Sequence, residues 1–190
     1  MKDTERDQRM TDKTYDKLDL VIFRNIEEDW VEEWGSRTKF TYSMKILING
    51  KDLAELAKEE EGRKRGRGFR YGHAEASWIL RQLKGADEGG SDFDPLCCPS
   101  CGEPACCTFW GRTYSDPDAV RWTEFVSRSC TYDFDFRFEK EEYDRKITDA
   151  ERRLGEFEET NRDHEREIEA LWEKKKRRKA WAKRIERRNK

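Results

Sequence analysis

Five of the six cysteines fall within eleven residues, at Cys97, Cys98, Cys101, Cys106 and Cys107, and the sixth is Cys130. Cys98-Pro99-Ser100-Cys101-Gly102 has the form of a zinc knuckle. Two thiolates separated by two residues grip one ion while the backbone between them turns back, and the glycine permits the tight turn that follows. A structural zinc takes four ligands. Cys98, Cys101 and Cys106 are the first three expected, with Cys107 or Cys130 as the fourth. The second half of the pattern is weaker, because it lacks another C-x-x-C. Three other chemistries compete for these residues. Free cysteines pack as small hydrophobes, disulfides form in oxidising compartments, and a redox C-x-x-C opens a helix whose dipole lowers the thiol pKa. Gly102-Glu103-Pro104 does not read as such a helix.

The second chemistry is electrostatic. A net charge of -2 hides a strong asymmetry, since residues 174–190 hold eleven Lys or Arg against one acid, Glu186. Lys174, Lys175, Lys176, Arg177, Arg178, Lys179, Lys183, Arg184, Arg187 and Arg188 form a basic block, with Trp181 among them. Such a block neutralises phosphates and releases counterions, and an aromatic within it can stack on a base. A second basic run, Arg63-Lys64-Arg65-Gly66-Arg67-Gly68-Phe69-Arg70, lies among glycines. The remaining chain is acidic and would repel polyanions, so contact with nucleic acid or a nucleoprotein assembly should be local. A solvated helix end is the plainer reading of the terminal block, because cations suit a helix C-terminus. One or two lysines would satisfy that dipole.

Enzymatic chemistry finds less support. The two histidines, His73 and His164, are too few and too far apart for a metalloprotease motif or a base pair of the usual kind. No phosphate-cradling G-x-x-x-x-G-K occurs, and the glycines at 62, 66, 68 and 72 follow no strand. The expectation is a non-enzymatic protein, with a thiol oxidoreductase acting through Cys98 and Cys101 as the residual alternative.

These groups must be positioned by a chain that is 43% charged and only 34% hydrophobic, a balance that alone suggests disorder. Its 7 Trp, 10 Phe and 6 Tyr argue for a compact core instead. Residues 1–14 read as disordered. Leu18 to Arg24 reads as a strand, Glu27 to Trp34 as a short helix or turn, and Phe40 to Ile48 alternates with period two as a half-buried strand. Asn49-Gly50 is a turn signal, Asp52 to Lys58 a helix ended by the Gly- and Arg-rich loop, and His73 to Lys84 a helix stopped by Gly85. Phe109–Tyr114, Val120–Val126 and Tyr132–Phe138 read as strands; in the last, Tyr132, Phe134, Phe136 and Phe138 share one face. The pattern is helical from Lys140 onward.

A heptad starting at Ile147 places Ala150, Leu154, Phe157, Asn161, Ile168 and Leu171 in one seam. Leu154, Phe157, Ile168 and Leu171 are therefore candidate contacts for a protein partner or a homodimeric coiled coil. Gly155 weakens the helix, and Lys175 and Arg178 would enter the seam. The competing reading is one amphipathic helix docked on the sheet at its start and solvated at its end.

Cys101-Gly102-Glu103-Pro104-Ala105-Cys106, Val120-Arg121-Trp122, Phe136-Arg137-Phe138 and Tyr143 together resemble a group of small bacterial proteins with a C-x-C-G-E-x-G-C turn, a V-x-W strand and an F-x-F…Y close. The similar region runs from about Met44 to Tyr143. The chain departs from that pattern at Pro99, Ala105 and Cys107, and Cys97 and Cys98 are additional. The resemblance implies an architecture and carries no activity.

The expected fold is α+β. A mainly antiparallel sheet with two short helices occupies 15–143, a zinc-stapled turn 97–107, and a long charged helix 144–190 with its basic tail at 174–190. No apolar run is long enough to span a bilayer. The first residues hold no apolar leader, so the expected location is cytoplasmic.

Overall fold

The computed structural model describes residues 14–31, 35–85, 89–107, 109–128 and 130–188. It is α+β with antiparallel pairing throughout. The chain divides into two compact units, Met1–Arg152 and Arg153–Lys190. The disordered segment expected at 1–14 lies almost wholly outside the described residues. Among the described residues, no helix is long and apolar enough to cross a membrane.

The first unit opens with a long hairpin of β1 (Leu18–Val31) and β2 (Gly35–Ile48), paired from Leu18↔Ile48 to Val31↔Gly35. The acidic stretch from Glu27, expected as a helix or turn, is thus strand as far as Val31. Asn49 and Gly50, both at positive φ (52° and 79°), turn β2 into β3 (Lys51–Asp52). Asp52 then caps α1 (Leu53–Arg65), its Oδ1 accepting from Ala54 N at 3.0 Å. Helix α1 runs seven residues beyond the expected end at Lys58, so Arg63, Lys64 and Arg65 are helical. Its stop is Gly66, left-handed at φ 74° and donating to Gly62 O at 2.8 Å. The following loop folds back on the helix: a Cβ at Gly68 would lie 2.2 Å from Lys58 O.

Next come β4 (Gly72–His73), α2 (Ala76–Lys84), β5 (Ser91–Phe93) and β6 (Leu96–Cys97). His73, expected to start a helix, is strand, and α2 begins three residues later. After α3 (Pro104–Cys107) follow β7 (Phe109–Ser115), β8 (Ala119–Ser127), β9 (Phe136–Glu139) and α4 (Lys140–Arg188). The strands distribute among three sheets, ordered β1-β2-β3, β4-β6 and β5-β7-β8-β9. Only Phe136–Phe138 of the aromatic Tyr132–Phe138 stretch pair as strand, in β9, which runs on to Glu139. Its alternation still holds, and Tyr132, Phe134 and Phe136 stack in series at 5.5 and 5.4 Å between ring centroids.

The core lies where the four-stranded sheet receives α2 and the first turns of α4. Trp122, Phe93, Phe109, Phe125 and Phe138 are all at most 2% exposed, and Ile79, Leu83, Tyr143, Ile147 and Ala150 are buried with them. Trp122 meets Phe138 at 4.8 Å and Phe93 at 5.0 Å in tilted or edge geometry, the arrangement that ring quadrupoles favour. Gly111, at a register shift in β7, leaves space for Phe125: an added Cβ would come within 2.7 Å of its ring. Tyr143 donates its hydroxyl to Leu83 O at 3.3 Å, tying α4 to the end of α2. Burial pushes that phenol well above its ordinary range. Met44, Ile46 and Ile48 of β2 bury with Leu53 and Ala57 of α1 in the same unit.

Candidate metal centre

The knuckle is held by its own backbone. Gly102 N donates to Cys98 O at 2.9 Å, and Cys98 N and Cys106 N donate to Glu103 O at 3.2 and 3.3 Å. Gly102 takes φ 72°, the left-handed conformation that the sequence reading asked of a glycine here. Pro104 opens α3, where its missing N–H costs nothing, and this short helix carries Cys106 back toward the knuckle. Strand β4 abuts the turn, since a Cβ on Gly72 would meet Cys97 Sγ and Pro99 Cα at 3.1 Å.

The outcome is a group of three thiols. The sulfurs of Cys98, Cys101 and Cys106 all lie within 4.8 Å of one another, close enough to hold one metal ion, and no fourth Cys, His, Asp or Glu joins them among the described residues. Cys98 is 9% exposed, whereas Cys101 and Cys106 are open to solvent. Hydrogen bonding to the Cys98 and Cys101 sulfurs raises the Cys106 thiol to about 11. Burial, followed by the neighbouring Cys98, Cys101 and Glu103, raises Cys97 likewise to about 11. Without metal the Cys106 thiol holds its proton, which a binding cation must displace. Neither Cys98 nor Cys101 stands at the start of α3, so the dipole of a redox dithiol is lacking at both.

Cys130 does not belong to this group. It sits in the turn after β8, where Ser127 N donates to Cys130 O at 2.7 Å and Cys130 Sγ donates to Thr131 O at 3.4 Å. The local turn holds its sulfur there, outside the group of three thiols. The Cys107 side chain lies outside the described residues.

Cys98 and Cys101 also line an open cavity of about 430 Å³, together with Phe23 and Asn25 of β1, Thr41 to Ser43 of β2, and His73 and Glu75. His73 Nε2 lies 3.0 Å from Asp52 Oδ2, and the same carboxylate meets Lys45 Nζ at 3.5 Å. Asn25 Nδ2 donates to Ser43 Oγ at 2.6 Å. Sequence reasoning missed this cavity because its walls come from four separate segments between Phe23 and Glu103.

The basic segments are placed differently from one another. Lys64 Nζ meets Asp133 Oδ2 at 2.8 Å, Thr131 O at 2.8 Å and buried Glu60 at 3.2 Å. Arg63 pairs with Glu60 and Arg65 with Glu61. Three of the five cations proposed for this run are therefore engaged within the fold. Arg67 and Arg70 lie exposed in the loop after α1. In the second unit the backbone stays helical to Arg188; Lys174 and Arg177 are exposed, as is Trp181 at 67%. The side chains of Lys175, Lys176, Arg178, Lys179, Lys183, Arg184, Arg187 and Arg188 lie outside the described residues. So do those of Ile168 and Leu171, while Leu154 is buried and Phe157 is 43% exposed.

No protein-family profile, no curated protein and no solved structure matches this chain.

Proposed function

We propose that this is a zinc-stabilised, non-enzymatic binding protein whose terminal helix contacts nucleic acid or a nucleoprotein assembly. The observation that carries the reading is the continuity of α4 to Arg188 through the most basic stretch of the chain. Residues 174–188 then present their cations over about 22 Å of helix, at 1.5 Å per residue. A duplex offers about one phosphate charge per 1.7 Å of axis, so many phosphates fall within that reach. The internal ion pairs of Arg63, Lys64 and Arg65 shift the expected contact from the first basic run to the tail. Arg67 and Arg70, both exposed, provide a second point of attachment.

Zinc is the metal that best suits a C-x-x-C knuckle joined by a third thiolate. Its role here is to order 97–107, a segment whose cysteines contribute little apolar area at Cys101 and Cys106, both exposed.

The test compares full-length protein with a variant in which Lys174, Lys175, Lys176, Arg177, Arg178 and Lys179 are all glutamine. Fluorescence anisotropy with short labelled DNA and RNA at low salt should show binding by the first and a large loss in the second. Equal binding by both would remove the tail from the reading. No binding by either at low salt would overturn the nucleic-acid function. The exposed Phe157 would then direct attention to a protein partner or homodimer of the helix, although buried Leu154 is a poor contact for one.

A further inference from the structure

We infer that a metal ion held by Cys98, Cys101 and Cys106 keeps one coordination position open toward the neighbouring cavity, and that this position takes a small neutral nitrogen donor of the imidazole class. The inference rests on the metal occupancy proposed above and goes beyond a purely structural role for it. Structural zinc is closed by four protein ligands, whereas three protein ligands leave a position for an exogenous group. Among the described residues the group numbers three.

The cavity supplies the second observation. Cys98 and Cys101 belong both to the thiol group and to the wall of a space of about 430 Å³, large enough for a small organic ligand. His73, the nearest residue type that could complete the set from within the wall, is committed elsewhere. Its Nε2 faces Asp52 at 3.0 Å, and Asp52 is itself fixed by capping Ala54 N and by Lys45. His73 is therefore held as a wall residue of the ligand space, beside Asn25 and Ser43.

Charge selects the ligand class. Three thiolates on a divalent ion leave a net negative centre. The lining adds the carboxylates of Glu75 and Glu103 and, among the described residues, holds no lysine or arginine. Anionic ligands are repelled by this surround, while a neutral nitrogen donor suits both the metal and the polar wall.

Cobalt(II) reports on this directly in the full-length protein. One equivalent should produce a thiolate-to-cobalt charge-transfer band and visible d–d bands. Imidazole should shift the d–d bands and saturate at one per cobalt, and azide should bind at least about tenfold more weakly, a gap of about 1.4 kcal/mol. In Cys107→Ser the charge-transfer intensity and the imidazole response should be unchanged. In the double variant Glu75→Gln, Glu103→Gln the gap between azide and imidazole should narrow. Absence of any charge-transfer band would overturn both the metal reading and this inference. A normal band that ignores imidazole would overturn the inference alone. Loss of intensity in Cys107→Ser, with imidazole binding only then, would show a closed four-thiolate site. An unchanged anion gap in the glutamine variant would overturn the assigned ligand class.

Discussion

Replacing Gly102 by alanine isolates the contribution of one backbone conformation to the metal site. The residue sits at φ 72°, and no atom lies within 4 Å of the Cβ that alanine would add. Steric contact is therefore not at issue, and the whole penalty is that of an L residue in the left-handed region, about 1–2 kcal/mol. That conformation sets the direction in which Gly102 N reaches Cys98 O, and so the spacing of the first two thiols. If 97–107 orders only around metal, the strain appears in affinity, weakening it about 5- to 30-fold at 1.4 kcal/mol per decade. If the turn is already formed without metal, the same strain appears as a lower Tm of the metal-free protein. Competition against a zinc-binding chromophore measures the first, and a thermal melt in chelator measures the second. Gly102→Asn should fall between glycine and alanine in whichever readout moves, because asparagine tolerates this region better. Neither readout moving in Gly102→Ala, or asparagine being the worse of the two, would refute the reasoning.

Three other outcomes follow from the packing. Gly111→Ala drives a methyl into the Phe125 and Phe93 rings, at 2.7 and 3.1 Å, and should cost about 1–3 kcal/mol in a denaturant titration, with the Tm falling by about 2–4 °C per kcal/mol. Lys64→Ala leaves the buried Glu60 short of a partner and cuts the tie to Asp133; it should lower stability by about 1–3 kcal/mol while leaving oligonucleotide affinity within about twofold. Asp135 accepts a two-pronged bond from Arg121 at 2.6 and 2.5 Å, which holds its carboxyl below the ordinary value of 3.8. Its stabilisation is complete above that ordinary value and is lost as pH falls through the lowered one. Both partners are about half exposed, so Asp135→Asn should cost less than about 1 kcal/mol at pH 7, and the difference should vanish in acid unfolding curves.

The sequence was most informative where a local period coincided with burial. Met44, Ile46 and Ile48 and the α2 positions Ala76, Ile79, Leu80 and Leu83 declared their inner faces directly, and Gly85 marked the stop. Where it misled, the deciding contacts were distant. Glu27 to Val31 has no alternation of its own and is strand because β2 returns alongside it. Helix α1 outran its expected end because Glu60 and Glu61 face Arg63, Lys64 and Arg65 one turn later, and because Gly66 rather than Gly62 carries the left-handed turn. Tyr132 to Asp135 alternates like a strand but joins no ladder, its backbone tied by the Tyr132 N to Phe125 O bond of 2.8 Å. At the site, C-x-x-C spacing with Cys106 specified the three thiols that converge. Cys130 was plausible only while its turn was unknown. The cavity beside the thiols had no local signature, since β1, β2 and β4 reach it by pairing.

The claim that the terminal helix binds polyanions is tested most directly by the salt dependence of full-length binding to one labelled oligonucleotide. With log Kd plotted against log salt, neutralisation of six phosphates on a duplex gives a slope of about 5 in magnitude, at about 0.9 per phosphate. The account predicts a slope of that size, falling toward 1 or less when residues 174–179 carry glutamine. A salt-independent affinity, or a steep slope that survives the glutamine variant, would contradict it.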